Sequence, residues 1–224
     1  MTVLFVAGTD TGVGKTTVTA ALAAAASAGG AAVAVLKPVQ TGAGPGEPGD
    51  LAEVRRLSGV SDLHELARYP EPLAPATAAL RAGSRGVGAE AIADAVGALD
   101  GRDVVLVEGA GGLLVRFDEA GTTLADAAAL LGAPVLMVTR AGLGALNHTA
   151  LTCEALHSRG LECPGLVIGA WPAEPDLAEC CNLDDLPAYA GRPLLGRIPE
   201  GAPALEPAVF ADRAPTWIST EGLL

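Results

Sequence analysis

Short apolar runs alternate with longer helical segments along the whole chain. The runs cover residues 3–7, 32–36, 104–107, 135–138, 166–168 and 194–198. Most lack the apolar–polar alternation of a half-exposed strand, so they predict strands buried on both faces of a parallel sheet. Helices are predicted between them over residues 15–27, 50–57, 88–99, 124–131, 145–159 and 183–189, with Gly132 and Gly160 as stops. Repeated strand–helix–strand units imply right-handed crossovers, an α/β fold and a doubly wound, mostly parallel sheet. In such a sheet ligands gather at the carboxyl ends of the strands. The Gly- and Pro-rich residues 43–49 predict a flexible loop, and three prolines within residues 69–75 predict an extended crossing.

A chain of 224 residues, half of them hydrophobic, is enough for one full domain spanning 1–224. Only 3% are aromatic, so the core is read as mostly Ala, Val and Leu. The net charge of −12 repels phosphate backbones and anionic lipid surfaces, which argues against nucleic-acid and membrane partners. Residues 20–36 carry no charge, but Gly29-Gly30 splits them and the stretch is shorter than the roughly 20 residues of a membrane span. No basic segment or cleavage site precedes the first strand, which predicts no secretory leader. Cys153, Cys163, Cys180 and Cys181 form no C-x-x-C pair and are read as reduced, buried or half-buried thiols in a cytoplasmic protein.

Candidate chemistry begins where the first strand ends. Gly8-Thr9-Asp10-Thr11-Gly12-Val13-Gly14-Lys15-Thr16-Thr17 lies between an apolar strand and an Ala-rich helix. In that setting it reads as a phosphate-binding loop, with one residue more between Gly8 and Gly14 than the common pattern has. Backbone N–H groups turned inward by glycines, and the positive end of the helix, surround a polyphosphate. Lys15 then neutralises the β- and γ-phosphates, and the Thr16 hydroxyl reaches the accompanying magnesium.

Three further residues stand at strand ends. Glu108 follows an apolar strand, with glycines on its far side, where a carboxylate completes a magnesium shell started by Thr16. Asp50 heads a segment, Gly49-Asp50-Leu51-Ala52-Glu53, that fits a capping box; capping and metal binding both suit it, and the spacing favours the cap. Lys37 ends an otherwise apolar strand in an acidic protein, so it is expected to face an anion, with Thr41 close behind to orient a ligand.

Taken together, G-T-D-T-G-V-G-K-T-T at 8–17, K-P-V-Q-T-G at 37–42, D-L-A-E at 50–53, V-E-G-A-G-G-L-L-V at 107–115 and L-G-A-L-N-H-T at 143–149 resemble the dethiobiotin synthetases, actinobacterial members above all. The resemblance covers nearly the whole chain, and the longer phosphate loop is itself a family trait. It implies a P-loop NTPase-type fold and a ligase of biotin biosynthesis. The family uses ATP, magnesium and carbon dioxide (or bicarbonate) to close a ureido ring on 7,8-diaminopelargonic acid through a carbamic–phosphoric anhydride. It implies catalytic roles for Lys15, Lys37 and Thr11, and magnesium held among Thr16, Asp50 and Glu108. Nucleotide contacts are implied at Gly12, Val13, Gly14, Lys15, Thr16, Thr17, Asp50, Glu108, Gly109, Ala110 and Gly111. Further ones are implied around the base at Gly169, Ala170, Arg197, Ile198 and Pro199. The family is a homodimer with sites at the interface. Thr41, and Gly144, Ala145, Leu146 and Asn147 from the neighbouring subunit, are implied to bind the substrate.

At the nucleobase the sequence departs from the pattern. Many members carry an asparagine after the fifth predicted strand, whereas here Gly169-Ala170-Trp171-Pro172 offers no side-chain amide. Base readout then falls to backbone groups, and other nucleoside triphosphates become candidates beside ATP. The main alternative is a regulatory switch ATPase of the partitioning and septum-site type. Those proteins carry a lysine five residues before the loop lysine, where this chain has Asp10.

Overall fold

In the computed structural model, which describes residues 1–224, the apolar runs form one seven-stranded sheet. Its strands are β1 (Thr2–Gly8), β2 (Val33–Thr41), β3 (Leu63–Tyr69), β4 (Val104–Gly112), β5 (Val135–Thr139), β6 (Leu166–Trp171) and β7 (Leu194–Pro199). They lie in the order β3-β2-β4-β1-β5-β6-β7, and every pairing is parallel. The helices are α1 (Lys15–Ala28), α2 (Asp50–Ser58), α3 (Pro75–Arg81), α4 (Ala89–Gly97), α5 (Leu124–Leu131), α6 (Ala145–His157), α7 (Leu177–Ala190) and α8 (Pro207–Arg213).

Both faces of the sheet are buried, which is why the strand sequences do not alternate. Along β1, Leu4 and Val6 enter one core, while Phe5 and Ala7 enter the other. The first core lies under α1, α2 and α8, the second under α3 to α7. Alanines dominate α1 because α2 and α8 both pack against it, and small side chains allow that close approach. The strand order reverses at β1, which lies between β4 and β5. Its carboxyl end is therefore the crevice where a doubly wound sheet binds ligands.

Several boundaries differ from expectation for identifiable reasons. β3 carries charged residues, Leu-His-Glu-Leu-Ala-Arg-Tyr, and is mostly half-buried at the sheet edge, so no apolar run marks it. The extended crossing is real only up to Ala74, because Pro75 is the first residue of α3, where its missing N–H costs nothing. A capping box of Asp176 and Glu179 starts α7 six residues before the expected start, and the helix runs through Pro187. α8 was not expected. β2 and β4 both continue past their apolar runs, so 37–41 and 108–112 are still strand. Within the 43–49 loop, Arg68 on β3 donates from Nη1 to the Glu47 carbonyl at 2.8 Å. All four cysteines are free; Cys153 and Cys163 are buried, but Cys180 and Cys181 are exposed. No helix is long and apolar enough to cross a membrane.

Candidate active site

Residues 8–14 wrap the end of β1 and deliver the chain into α1. Gly14 is the N-cap, in the left-handed region at φ 96, with no side-chain cap and no acidic residue in the first turn. The leading N–H groups of α1 are thus left for an anion. A Cβ on Gly14 would lie 2.5 Å from the Gly169 carbonyl oxygen, so the end of β6 is pressed against the loop. Lys15 Nζ donates to the Asp10 carbonyl at 3.0 Å, folding back along the loop. Burial first, and then the nearby Lys37 ammonium, push its pKa down to about 8 against the opposing pull of Glu108, Asp50 and Asp10. Arg140, at the end of β5, donates to the Thr11 carbonyl at 3.0 Å and to Asp10 Oδ2 at 3.2 Å, bracing the loop corner.

The second half of the site follows from sheet register. β2 and β4 pair in parallel from Val33 with Val104 to Leu36 with Val107. One step further sets Lys37 beside Glu108, on the face where Val35 and Leu106 already point. Lys37 Nζ donates to Glu108 Oε1 at 2.8 Å and to the Gly109 carbonyl at 3.0 Å. Asp50, the first residue of α2, completes the ion triplet with Oδ2 2.5 Å from the same ammonium. Burial pushes the Lys37 pKa down, but Glu108 and Asp50 together outweigh it and leave the group above its ordinary value. Thr16 donates its hydroxyl proton to Glu108 Oε1 at 2.9 Å. Between β1 and β4 the register then slips: Val6 faces Glu108, but Gly8 faces Gly112. The bulge carries Gly109–Gly111 around the phosphate loop.

Asp50 does not serve as a cap. Gly49 holds the N-cap position without a side-chain bond, and the Asp50 carboxylate turns to Lys37 instead. The donor set fits a divalent cation accompanying phosphates. Glu108 Oε2 is fully buried and has no hydrogen-bond partner, which in a native interior calls for one. No group of three or more His, Cys, Asp or Glu side chains assembles anywhere to make an all-protein cage. Two carboxylates and a hydroxyl are what magnesium bound through phosphates ordinarily takes from a protein.

A cavity of about 630 Å³ joins the two halves. Of the residues singled out in the sequence, it gathers Thr11, Gly12, Gly14, Lys15, Thr16, Lys37, Thr41, Asp50, Glu108, Ala110 and Gly111. Val13 and Thr17 are buried beneath the loop, and Gly109 takes part through its carbonyl. Gly169, Ala170, Arg197, Ile198 and Pro199 lie outside this cavity at the ends of β6 and β7. Ile198 is wholly buried, so only its backbone can face a ligand, while the Arg197 guanidinium stacks 4.8 Å from the Trp171 ring centroid. Gly144 to Asn147 open α6 and do not line the cavity either. Sequence reasoning missed Gln40, Val115 and the Pro72–Pro75 strip, all of which line it, and Arg140 beside the loop. The prolines were visible, but their meeting with Thr41 depends on the β2–β3 pairing.

The chain is similar to known proteins along nearly all of its length. A family model described as an AAA domain matches residues 2–208. ATP-dependent dethiobiotin synthetase BioD of Frankia casuarinae is 64% identical over 90% of this chain and 85% of its own length. The proteins of that name from Streptomyces coelicolor and Rhodococcus jostii are 61% and 58% identical over 98% and 100% of this chain, and 92% and 97% of their own lengths. Among solved structures, the cell division ATPase MinD of Pyrococcus furiosus superposes with a TM-score of 0.61, covering 95% of this chain and 96% of its own, at 19% identity. A likeness that distant establishes the P-loop NTPase-type fold alone, and it gives the septum-site reading no support against relatives three times as similar in sequence. With a phosphate loop, a second buried lysine and an acidic pair converging on one cavity, and with full-length relatives at this identity, the chain belongs to the ATP-dependent dethiobiotin synthetase family.

Proposed function

We propose that this chain carries out the dethiobiotin synthetase reaction with the residues of the cavity just described, as a single domain in the cytoplasm. The observation that carries the reading is the pair of buried lysines, Lys15 and Lys37, set over one cavity in a chain of net charge −12. A nucleotide-binding module needs the first; a second is needed where two anions must be brought together. In the reaction, a carbamate oxygen formed on one amine of 7,8-diaminopelargonic acid attacks the γ-phosphorus, and ADP departs. The second amine then attacks the carbonyl carbon of the mixed anhydride, the ring closes and phosphate leaves.

Lys15 and the first N–H groups of α1 hold the β- and γ-phosphates. Lys37 stands toward the carbamate side and stabilises charge as it moves between the two anions. Thr11 and Thr41, which both line the cavity, orient the diamine. Thr16, Asp50 and Glu108 would hold magnesium, which supplies charge neutralisation across the phosphate oxygens. The apolar strip of Pro72 to Pro75 with Val115 suits an aliphatic chain. The base sits at Gly169, Ala170 and Pro199, where backbone groups do the reading. Gly144 to Asn147 lie outside the chain's own cavity, and Leu143 beside them is 94% exposed. These features support a homodimer in which the amide end of α6 from one subunit receives the substrate carboxylate of the other. The test is phosphate release measured with diaminopelargonate and bicarbonate added singly and together. Release should require both; stimulation by DNA, lipid or a protein partner in their place would overturn the assignment.

A further inference from the structure

We infer that Gln40 is a positioning residue for Asp50, an inference that rests on Asp50 acting as a metal-side carboxylate. Gln40 is 6% exposed, on β2, and is not part of the charged triplet. Its Oε1 accepts the Asp50 backbone N–H at 2.8 Å, and its Nε2 donates to the Thr41 carbonyl at 2.9 Å. Both ends of the amide are thus spent on backbone groups, although the residue lines the cavity.

The first bond does the work that a helix cap would do. α2 begins after Gly49, whose side chain is absent and which makes no cap bond. One of the orphan N–H groups of the helix is satisfied from a neighbouring strand instead. That substitution has a steric condition. A Cβ on Gly49 would lie 2.7 Å from Gln40 Oε1 and 3.0 Å from Arg68 Nη2. A side chain at 49 would push the Gln40 amide away from the start of α2.

Arg68 is the register partner of Gln40 on β3 and holds the far part of the same loop. Its Nη1 donates to the Glu47 carbonyl at 2.8 Å, while Glu65 fixes the guanidinium through Nε and Nη2 at 2.7 and 2.8 Å. Two rigid strands therefore deliver the 44–49 loop and the first residue of α2 to a set position. That position places Asp50 Oδ2 against Lys37, which Glu108 has already located. Asp50 thus starts its helix at the end of a seven-residue Gly- and Pro-rich loop that Arg68 holds at Glu47 and Gln40 holds at Asp50 itself.

The experiment uses the full-length protein with three single variants, Gln40→Leu, Gly49→Ala and Asp50→Asn, and the double variant Gln40→Leu/Asp50→Asn. Turnover is measured against magnesium at fixed ATP, and Mn2+ binding is measured by EPR in the presence of a non-hydrolysable ATP analogue. Gln40→Leu and Gly49→Ala break the same contact from opposite sides. Each should raise the metal concentration for half-maximal turnover, and the Mn2+ dissociation constant, about tenfold, as loss of a ligand's supporting partner does. KM for the diamine should move less than about twofold. In the Asp50→Asn background Gln40→Leu should add nothing, because its effect runs through Asp50. Multiplicative losses in the double variant, or wild-type metal affinity in both Gln40→Leu and Gly49→Ala, overturn the inference while leaving the Asp50 role standing. Wild-type metal affinity in Asp50→Asn would overturn that role itself, and this inference with it.

Discussion

Lys15 offers the sharpest quantitative prediction, because phosphates beside it would reverse the electrostatics that the protein alone imposes. Burial and the Lys37 ammonium hold its pKa at about 8, against 10.5 for a free side chain. A shift of that size corresponds to about 3 kcal/mol against the charged form. The folded value lies below the unfolded one, so below pH 8 the folded protein carries this cost. Between pH 8 and 10.5 the unfolded chain holds a proton that the folded one has released, and the contribution of this group to stability rises with pH across that window. Phosphates beside the ammonium remove the cost, since opposite charge favours the protonated lysine. Nucleotide binding should therefore draw in a proton once the pH passes 8. Linkage to one group of pKa about 8 makes Mg·ATP-analogue affinity at pH 9 about tenfold weaker than at pH 7. The assay is isothermal titration calorimetry at pH 7, 8 and 9, each in two buffers of different ionisation enthalpy. Uptake should approach one proton at pH 9 and about a tenth of that at pH 7. Lys15→Met should bind weakly with no pH dependence. A flat affinity from pH 7 to 9 in the unaltered protein, with no proton uptake at pH 9, would refute the reasoning.

Other expectations follow from the same geometry. Lys37→Ala should lose turnover at least about a hundredfold while nucleotide affinity falls far less. It should also lower stability by about 3 kcal/mol in urea melts, because Glu108 is left buried without its cation; equal losses in affinity and turnover would exclude a role in the transition state. Gly169→Ala places a Cβ into the Val13 carbonyl oxygen of the phosphate loop, and should cost about 2 kcal/mol of stability together with most nucleotide binding, read by thermal melts and the same calorimetry. CTP and GTP should support turnover within about tenfold of ATP, since a backbone-read base lacks the discrimination of a dedicated side-chain amide; strict dependence on ATP in a phosphate-release assay would contradict this. Mixing Lys37→Ala with Asn147→Ala subunits should restore activity that neither has alone, because some mixed dimers contain one site with both residues; no recovery would show that the site does not span two subunits.

Much of the fold was legible because its signals are local. A strand buried on both faces needs an unbroken apolar run, and the runs at β1, β4, β5 and β6 stand out for that reason. The phosphate loop was legible as well, since glycine, lysine and threonine must follow one another along a single turn. β3 was not, because an edge strand with half-exposed faces needs no apolar run and tolerates His64, Glu65 and Arg68. Nor was α8, a two-turn helix whose only buried side chain is Phe210.

The same division runs through the site. Sequence alone determined which groups are present: a polyphosphate cradle, two lysines, and two carboxylates in an acidic chain. It also determined family membership, because five separate motifs had to coincide. What only the tertiary structure decided was how those groups are shared. From its neighbours in sequence Asp50 suited a cap better than a metal site; the parallel register of β2 and β4, which puts Lys37 beside Glu108, left Asp50 to complete the triplet instead. Gln40 lies in one of the five motifs without any role attached to it, and Arg140 lies in none. Their partners lie 10 and about 130 residues away in sequence and come within reach only when strands align. Local pattern records what a residue must be to occupy its own element, whereas register and packing set what it faces.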